Sequence, residues 1–126
     1  MSEVENSVVP IVKMAMNNEA FRDEVITGKE CQVVLMTLQP GEEIGAEVHE
    51  DHDQILVLVE GNGQAVLSGR AREVGANDLI FVHAGVEHNF INTGAKALKL
   101  YTVYAPPEHK AGTKHETKAE ADEAEG

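Results

Sequence analysis

The chain has 126 residues, 42% of them hydrophobic, and carries a formal net charge of −12 with a single cysteine. That length suits one domain whose core needs neither disulfides nor a structural metal. The acidity is spread along the chain and excludes nucleic acid or an anionic membrane as an expected partner, since both call for a cationic face.

In chain order, residues 1–10 read as a loose terminus, and MSEVENSVV lacks the basic start and long apolar stretch of a signal peptide. NNEAFRDEVI, from Asn17, predicts one or two helical turns, with Asn17 or Asn18 as N-cap and Phe21 and Val25 on one face. Thr27-Gly28 ends it, and strand signals follow. Gln32 to Leu38 is a strand closed by Pro40-Gly41, and Cys31 at the head of its apolar run CQVVLMTL is expected to be buried and inert. With no disulfide framework, a cytoplasmic setting is expected.

Ile44 to His49 alternates Ile44, Ala46 and Val48 against Gly45, Glu47 and His49, which predicts a short strand. Gln54 to Glu60 is apolar on both faces and is expected at the centre of a sheet. Its apolar run is too short to span a membrane. Gly61-Asn62-Gly63 reads as a tight reversal, with Gln64 to Leu67 as the return strand of a hairpin. Further strands are predicted at Arg70 to Val74, Leu79 to Val82 (buried), Glu87 to Ile91 and Leu98 to Tyr104. Beyond Pro107 no large apolar residue remains, so the end reads as a polar arm with a frayed Ala/Glu helix, its His109 and His115 solvated. Short strands between Gly-bearing turns make this an all-β chain, an antiparallel sandwich or barrel. Its parts are an N-terminal segment (1–29), a barrel (30–105) and an arm (106–126).

Residues able to hold a cation cluster in one stretch. Six acids fall between Glu42 and Asp53, and Glu47 and His49 share a strand face just before Gln54 opens the next strand. His88 and Asn92 lie on a second alternating set after the Gly85 turn. Two imidazoles, a carboxylate and an amide oxygen suit a divalent first-row ion. The bland alternatives are hydrogen-bonded pocket histidines, a solvated acidic loop, and a Gln54 that orients a neighbour. His52 reads as an exposed turn residue, and His83 as a residue near the mouth able to transfer a proton.

The spacing resembles the cupins. Gly41, five residues, Glu47, one residue, His49, four residues, Gln54, six residues, Gly61 follows their first motif, with Glu47 and Gln54 in place of its usual His and Glu. His83, Ala84, Gly85, two residues, His88, three residues, Asn92 follows their second, with His83 where proline is usual and Asn77 at the opening glycine. Small bacterial cupins with a KLYTVYAPPEH-type segment and a GT-x-H-x-TKAEA arm look similar at Lys99 to His109 and Gly112 to Ala121.

This resemblance implies a single antiparallel cupin barrel of the jelly-roll type. It also implies a divalent metal ion (zinc, iron, manganese, nickel or cobalt) on Glu47, His49, Gln54 and His88. Phosphomannose isomerases, which share the fold, resemble this two-His, Glu and Gln set. The expectation that follows is a homodimeric enzyme acting on a small sugar-like or oxyacid molecule, as an isomerase, dioxygenase or lyase, with His83 as acid or base. The alternatives are a non-catalytic cupin that binds or senses a small molecule, and a dimeric scaffold whose arms recruit another protein.

Overall fold

Runs rich in Val, Leu and Thr, parted by glycine-bearing turns, pair into two antiparallel sheets in the computed structural model, which describes residues 6–125. The elements are α1 (Ile11–Asn17), β1 (Arg22–Thr27), β2 (Gln32–Leu38), β3 (Asp53–Glu60), β4 (Asn62–Leu67), β5 (Arg70–Gly75), β6 (Leu79–Val82), β7 (His88–Ile91), β8 (Leu98–Ala105), β9 (Lys114–His115) and α2 (Lys118–Glu125). The larger sheet has the order β6-β3-β8-β2-β1-β9 and the smaller β5-β4-β7. The all-β cupin-type barrel expected above is what forms. Its core lies between the sheets, where Val34, Met36, Leu56, Leu58 and Leu100 meet Ala65 and Phe90. Burying such side chains is the main favourable term, about 1.5–3 kcal/mol each.

Five local expectations are corrected. The helix is upstream of its predicted place: α1 covers residues 11–17, and β1 occupies much of the stretch read as helical. Phe21 and Val25 have helical spacing, but pairing with β2 on one side and β9 on the other outweighs that weak preference. Asn18 marks the break, its side chain donating to the Ala20 carbonyl at 2.8 Å and accepting from the Ala20 amide at 3.1 Å. Cys31 is exposed, because it precedes β2 instead of lying in it. β3 and β4 form no hairpin, since they belong to different sheets and the chain turns a corner between them. The glycines there serve close packing. A Cβ on Gly63 would stand 2.3 Å from the Ile91 carbonyl oxygen, and one on Gly61 2.7 Å from that of Ala97. β6 is a half-buried edge strand that exposes Leu79 and Phe81 while Ile80 and Val82 face the core.

The fifth correction concerns the stretch expected to be a regular strand from Ile44 to His49. It meets β7 only at two isolated bridges, Glu43↔Ile91 and Glu47↔His88. Four steps of chain on one side face three on the other, so one residue bulges. Gly45 takes up the irregularity at φ 106°, its amide donating to the Asn89 side chain at 2.8 Å. The strict alternation breaks there, so Ile44 is buried in the core while Glu47 and His49 also turn inward.

The polar arm docks onto the barrel. β9 extends the larger sheet beside β1, and Ala121 of α2 is buried in the core cluster. Backbone pairing, hydrogen bonds to polar side chains such as Gln32 and Glu24, and one buried alanine hold it, which is why its polar composition carries no burial signal. Asn77 has the left-handed φ of 76° that its motif position calls for. Asn92 ties its turn by donating to the Leu38 and Lys96 carbonyls at 2.8 and 2.9 Å.

Candidate metal centre

The bulge and β7 bring three side chains together. Glu47 and His88 exchange both backbone hydrogen bonds at 2.9 Å, so their side chains project to the same side. His49 follows two residues later. One donor atom from each of Glu47, His49 and His88 falls within 4.8 Å of the others. The two imidazole centroids are 5.2 Å apart, and His49 Nε2 lies 3.6 Å from Glu47 Oε1.

His88 is oriented from behind. Its Nδ1 lies 2.9 Å from the Val86 carbonyl oxygen, an acceptor, so Nδ1 carries the hydrogen and Nε2 presents a lone pair. That Nε2 is buried and makes no hydrogen bond among the described residues. A carbonyl behind one ring nitrogen and a bare lone pair on the other is the arrangement of a metal-ligating histidine.

Gln54 is in the same interior layer. It lies opposite Tyr104 in β8, whose ring centroid is 5.9 Å from that of His49. Its Nε2 donates to Thr102 Oγ1 at 3.0 Å, and its buried Oε1 makes no hydrogen bond among the described residues. The amide is thus fixed with its oxygen, a neutral donor, left over. A carboxylate, imidazoles and an amide oxygen match the ligand preference of divalent zinc, iron, manganese, nickel or cobalt, and two of the donors are buried atoms that want a partner. The residues fit an ion.

Charge supports the same conclusion. Burial favours the protonated form of Glu47, but a side-chain hydrogen bond with His49 and the electrostatic influence of His49, Arg22 and His88 outweigh it and lower its pKa below the ordinary 4.5. The carboxylate is therefore ready as an anionic ligand at neutral pH.

His83 is not gathered into the cluster. It continues the outward-facing positions of β6, its side chain 76% exposed, 4.0 Å from Asp53 and with its ring 4.9 Å from that of Phe81. Other residues near the cluster are misread or passed over in the sequence. His52 is not an exposed turn residue; its Nε2 lies 3.0 Å from the Pro107 carbonyl oxygen and 3.3 Å from Glu108 Oε1. Glu108 Oε2 is in turn 3.7 Å from His49 Nδ1, so His49, His52 and Glu108 form a second group sharing His49. His109, expected to be solvated, packs its ring 5.3 Å from that of Tyr104, and burial followed by the nearby Arg22 charge lowers its pKa from 6.5 to about 4. Arg22 is itself buried, with Nη1 donating to His115 Nδ1 at 3.1 Å. The available signal was the Glu-His pair just after the last long strand, at the end of a short double-proline turn.

Comparison with known proteins agrees with this fold. Residues 34–104 match the family model described as Cupin domain. The chain is 46% identical over 125 residues to the uncharacterized protein YrkC of Bacillus subtilis (strain 168), covering 94% of this chain and 67% of that one. The crystal structure of BH2720 from Bacillus halodurans superposes with a TM-score of 0.92 at 43% identity, covering 94% of this chain and 95% of that one. The mannose-1-phosphate guanylyltransferase ManC of Salmonella typhimurium (strain LT2) is 28% identical over 93 residues, which is 70% of this chain and 19% of that enzyme.

Proposed function

The chain belongs to the cupin family, and from that premise we propose that it is a metal-dependent enzyme acting on a small polar molecule, sugar-like or an oxyacid. One observation carries the reading: Glu47, His49 and His88 converge within 4.8 Å while the buried Nε2 of His88 makes no hydrogen bond among the described residues. Glu47, His49 and His88 would hold a divalent ion, with the Gln54 amide oxygen as a fourth donor. A divalent ion bound there supplies Lewis acidity, polarising a substrate oxygen.

The chain's own residues do the rest. The Val86 carbonyl keeps the His88 lone pair turned inward, and Thr102 fixes the Gln54 amide by accepting from its Nε2 and donating to Ile55 O at 2.8 Å. Tyr104 walls the site beside His49, and the buried Leu56 and Phe90 keep water from the layer beneath. A site of this kind favours a ligand that offers oxygen atoms. The match to a sugar-nucleotide enzyme, although it spans only 19% of that enzyme, supports a sugar-like choice.

The test is metal analysis. Protein purified without chelator should carry close to one equivalent of a divalent metal. His49→Ala and His88→Ala should each lose it and lose the rise in melting temperature that metal addition gives the wild type. Metal-free wild type that gains neither metal nor thermal stability on addition would remove the basis of the reading.

A further inference from the structure

The two nitrogens of His49 face different partners. Nε2 looks toward Glu47 at 3.6 Å, on the side of His88, and Nδ1 looks toward the carboxylate of Glu108 at 3.7 Å. The other oxygen of that carboxylate is 3.3 Å from His52 Nε2, and the His49 and His52 ring centroids stand 5.9 Å apart. Glu108 therefore sits between two imidazoles, on the far side of His49 from the metal-ligand group.

The backbone that carries Glu108 is held in place. Gln32, fully buried at the start of β2, accepts the Glu108 and His109 amides on Oε1 at 3.2 and 3.0 Å, and its Nε2 donates to the His109 carbonyl at 2.6 Å. His52 Nε2 lies 3.0 Å from the Pro107 carbonyl. Further along, Glu24 accepts the Gly112 amide at 3.0 Å, and the Glu24 amide donates to the Thr113 carbonyl at 2.9 Å. Pairing of β9 with β1 then completes the attachment. The carboxylate is delivered to His49 by a segment tied to the barrel at both ends.

We propose that Glu108 is a positioning residue of the metal centre: its carboxylate charge, 3.7 Å from His49 Nδ1, favours the hydrogen on that nitrogen and so leaves the Nε2 lone pair on the side of Glu47 and His88. It acts on His49 by charge across 3.7 Å, where the Val86 carbonyl acts on His88 through a 2.9 Å hydrogen bond. A carboxylate behind a ligating imidazole also raises the basicity of the ligand. Because the carboxylate arrives on the docked segment, metal binding and docking of residues 107–116 stabilise each other by linkage. This inference rests on the metal reading above.

The experiment compares full-length wild type with Glu108→Gln, which keeps the size of the side chain and removes its charge. Glu116→Gln, from a pair with Lys114 outside both histidine groups, controls for the lost charge. Zn²⁺ binding to chelator-stripped protein is measured by titration calorimetry, and the His49 tautomer in the metal-free protein by ¹⁵N NMR. Glu108→Gln is expected to bind Zn²⁺ about 10-fold or more weakly, to shift His49 toward the Nε2–H tautomer, and to leave the metal-free melting temperature close to wild type. Glu116→Gln should match wild type in all three. If wild type binds Zn²⁺ and Glu108→Gln binds it equally well with an unchanged tautomer, this inference is overturned and the metal reading stands. If wild type itself binds no Zn²⁺, the metal reading falls and takes this inference with it.

Discussion

Acid should unlatch the segment that follows the barrel, and His109 is the group that makes it do so. Burial strips water from its ring, Arg22 adds repulsion, and the opposing pull of Glu47 is smaller, so its pKa drops from 6.5 to about 4. The folded state therefore resists protonation that the unfolded chain accepts. Between those two values the unfolded state binds more protons, so stability falls as pH falls. The contribution is fully present above about pH 6.5 and is lost on the way to about pH 4. At pH 5 these pKa values correspond to about 2 kcal/mol, and because the ring is only half-buried, solvent screening reduces this to about 1 kcal/mol. For a domain of this size that is roughly 3–5 °C in melting temperature. His109→Phe keeps a ring against Tyr104 and removes the proton site. The measurement is urea unfolding of wild type and variant at pH 7.5 and pH 5. Wild type should lose about 1 kcal/mol more than His109→Phe over that interval, the other titrating groups cancelling between the two proteins. Equal losses in both, or a larger loss in the variant, would refute the assignment.

Three further perturbations test other parts of the structure. Gly63→Ala places a methyl group 2.3 Å from the Ile91 carbonyl oxygen, a contact with backbone that cannot swing aside. A loss of about 2–3 kcal/mol or failure to fold is expected from this overpacking, read by thermal melting. Ala121→Asp drives a charge into the residue that anchors α2 among the described residues, and limited proteolysis should then cut within residues 107–125 while the barrel survives. Glu47 has a lowered pKa, so the stability it contributes is present above its ordinary 4.5 and is lost as pH falls below that value. Glu47→Gln should flatten the stability curve at that acid end and weaken divalent-metal binding measured at neutral pH.

The β architecture was legible because turn chemistry and apolar runs are local. Ser68 and Gly69, both at positive φ, turn β4 into β5 between the two strands expected at Gln64 to Leu67 and Arg70 to Val74. The failures share a non-local cause. A reversal at Gly61 and Gly63 looks the same in sequence whether the chain returns along its own sheet or crosses to the other. The difference lies in the carbonyls of Ala97 and Ile91, some thirty residues away, which press against those glycines. β1 reads as helix partly for the same reason, since one of its two partners is a two-residue strand near the far end of the chain. Glu47 and His49 were placed on one face by strict alternation, which would have put Ile44 on the other. All three reach the interior only through the extra residue at Gly45, which no period-2 pattern contains.

The candidate site divides along the same line. Glu47, His49, Gln54 and His88 all lie within the 34–104 span shared with the family, where the motif resemblance points to them. The groups behind and beside them do not: Arg22 precedes that span, and Glu108 and His109 follow it. Glu108 and His109 reach the site through Gln32, a buried side chain that binds backbone, so no composition or periodicity marks their arrival. The barrel supplies the donors, whereas the flanking Arg22 adds charge that bears on both Glu47 and His109. The likeness to BH2720 extends over 94% of this chain, well past the shared span, so the flanking segments belong to the relationship as well. A functional assignment for this group of proteins should therefore be sought by varying Glu108, His109 and Arg22 as much as by varying the ligands.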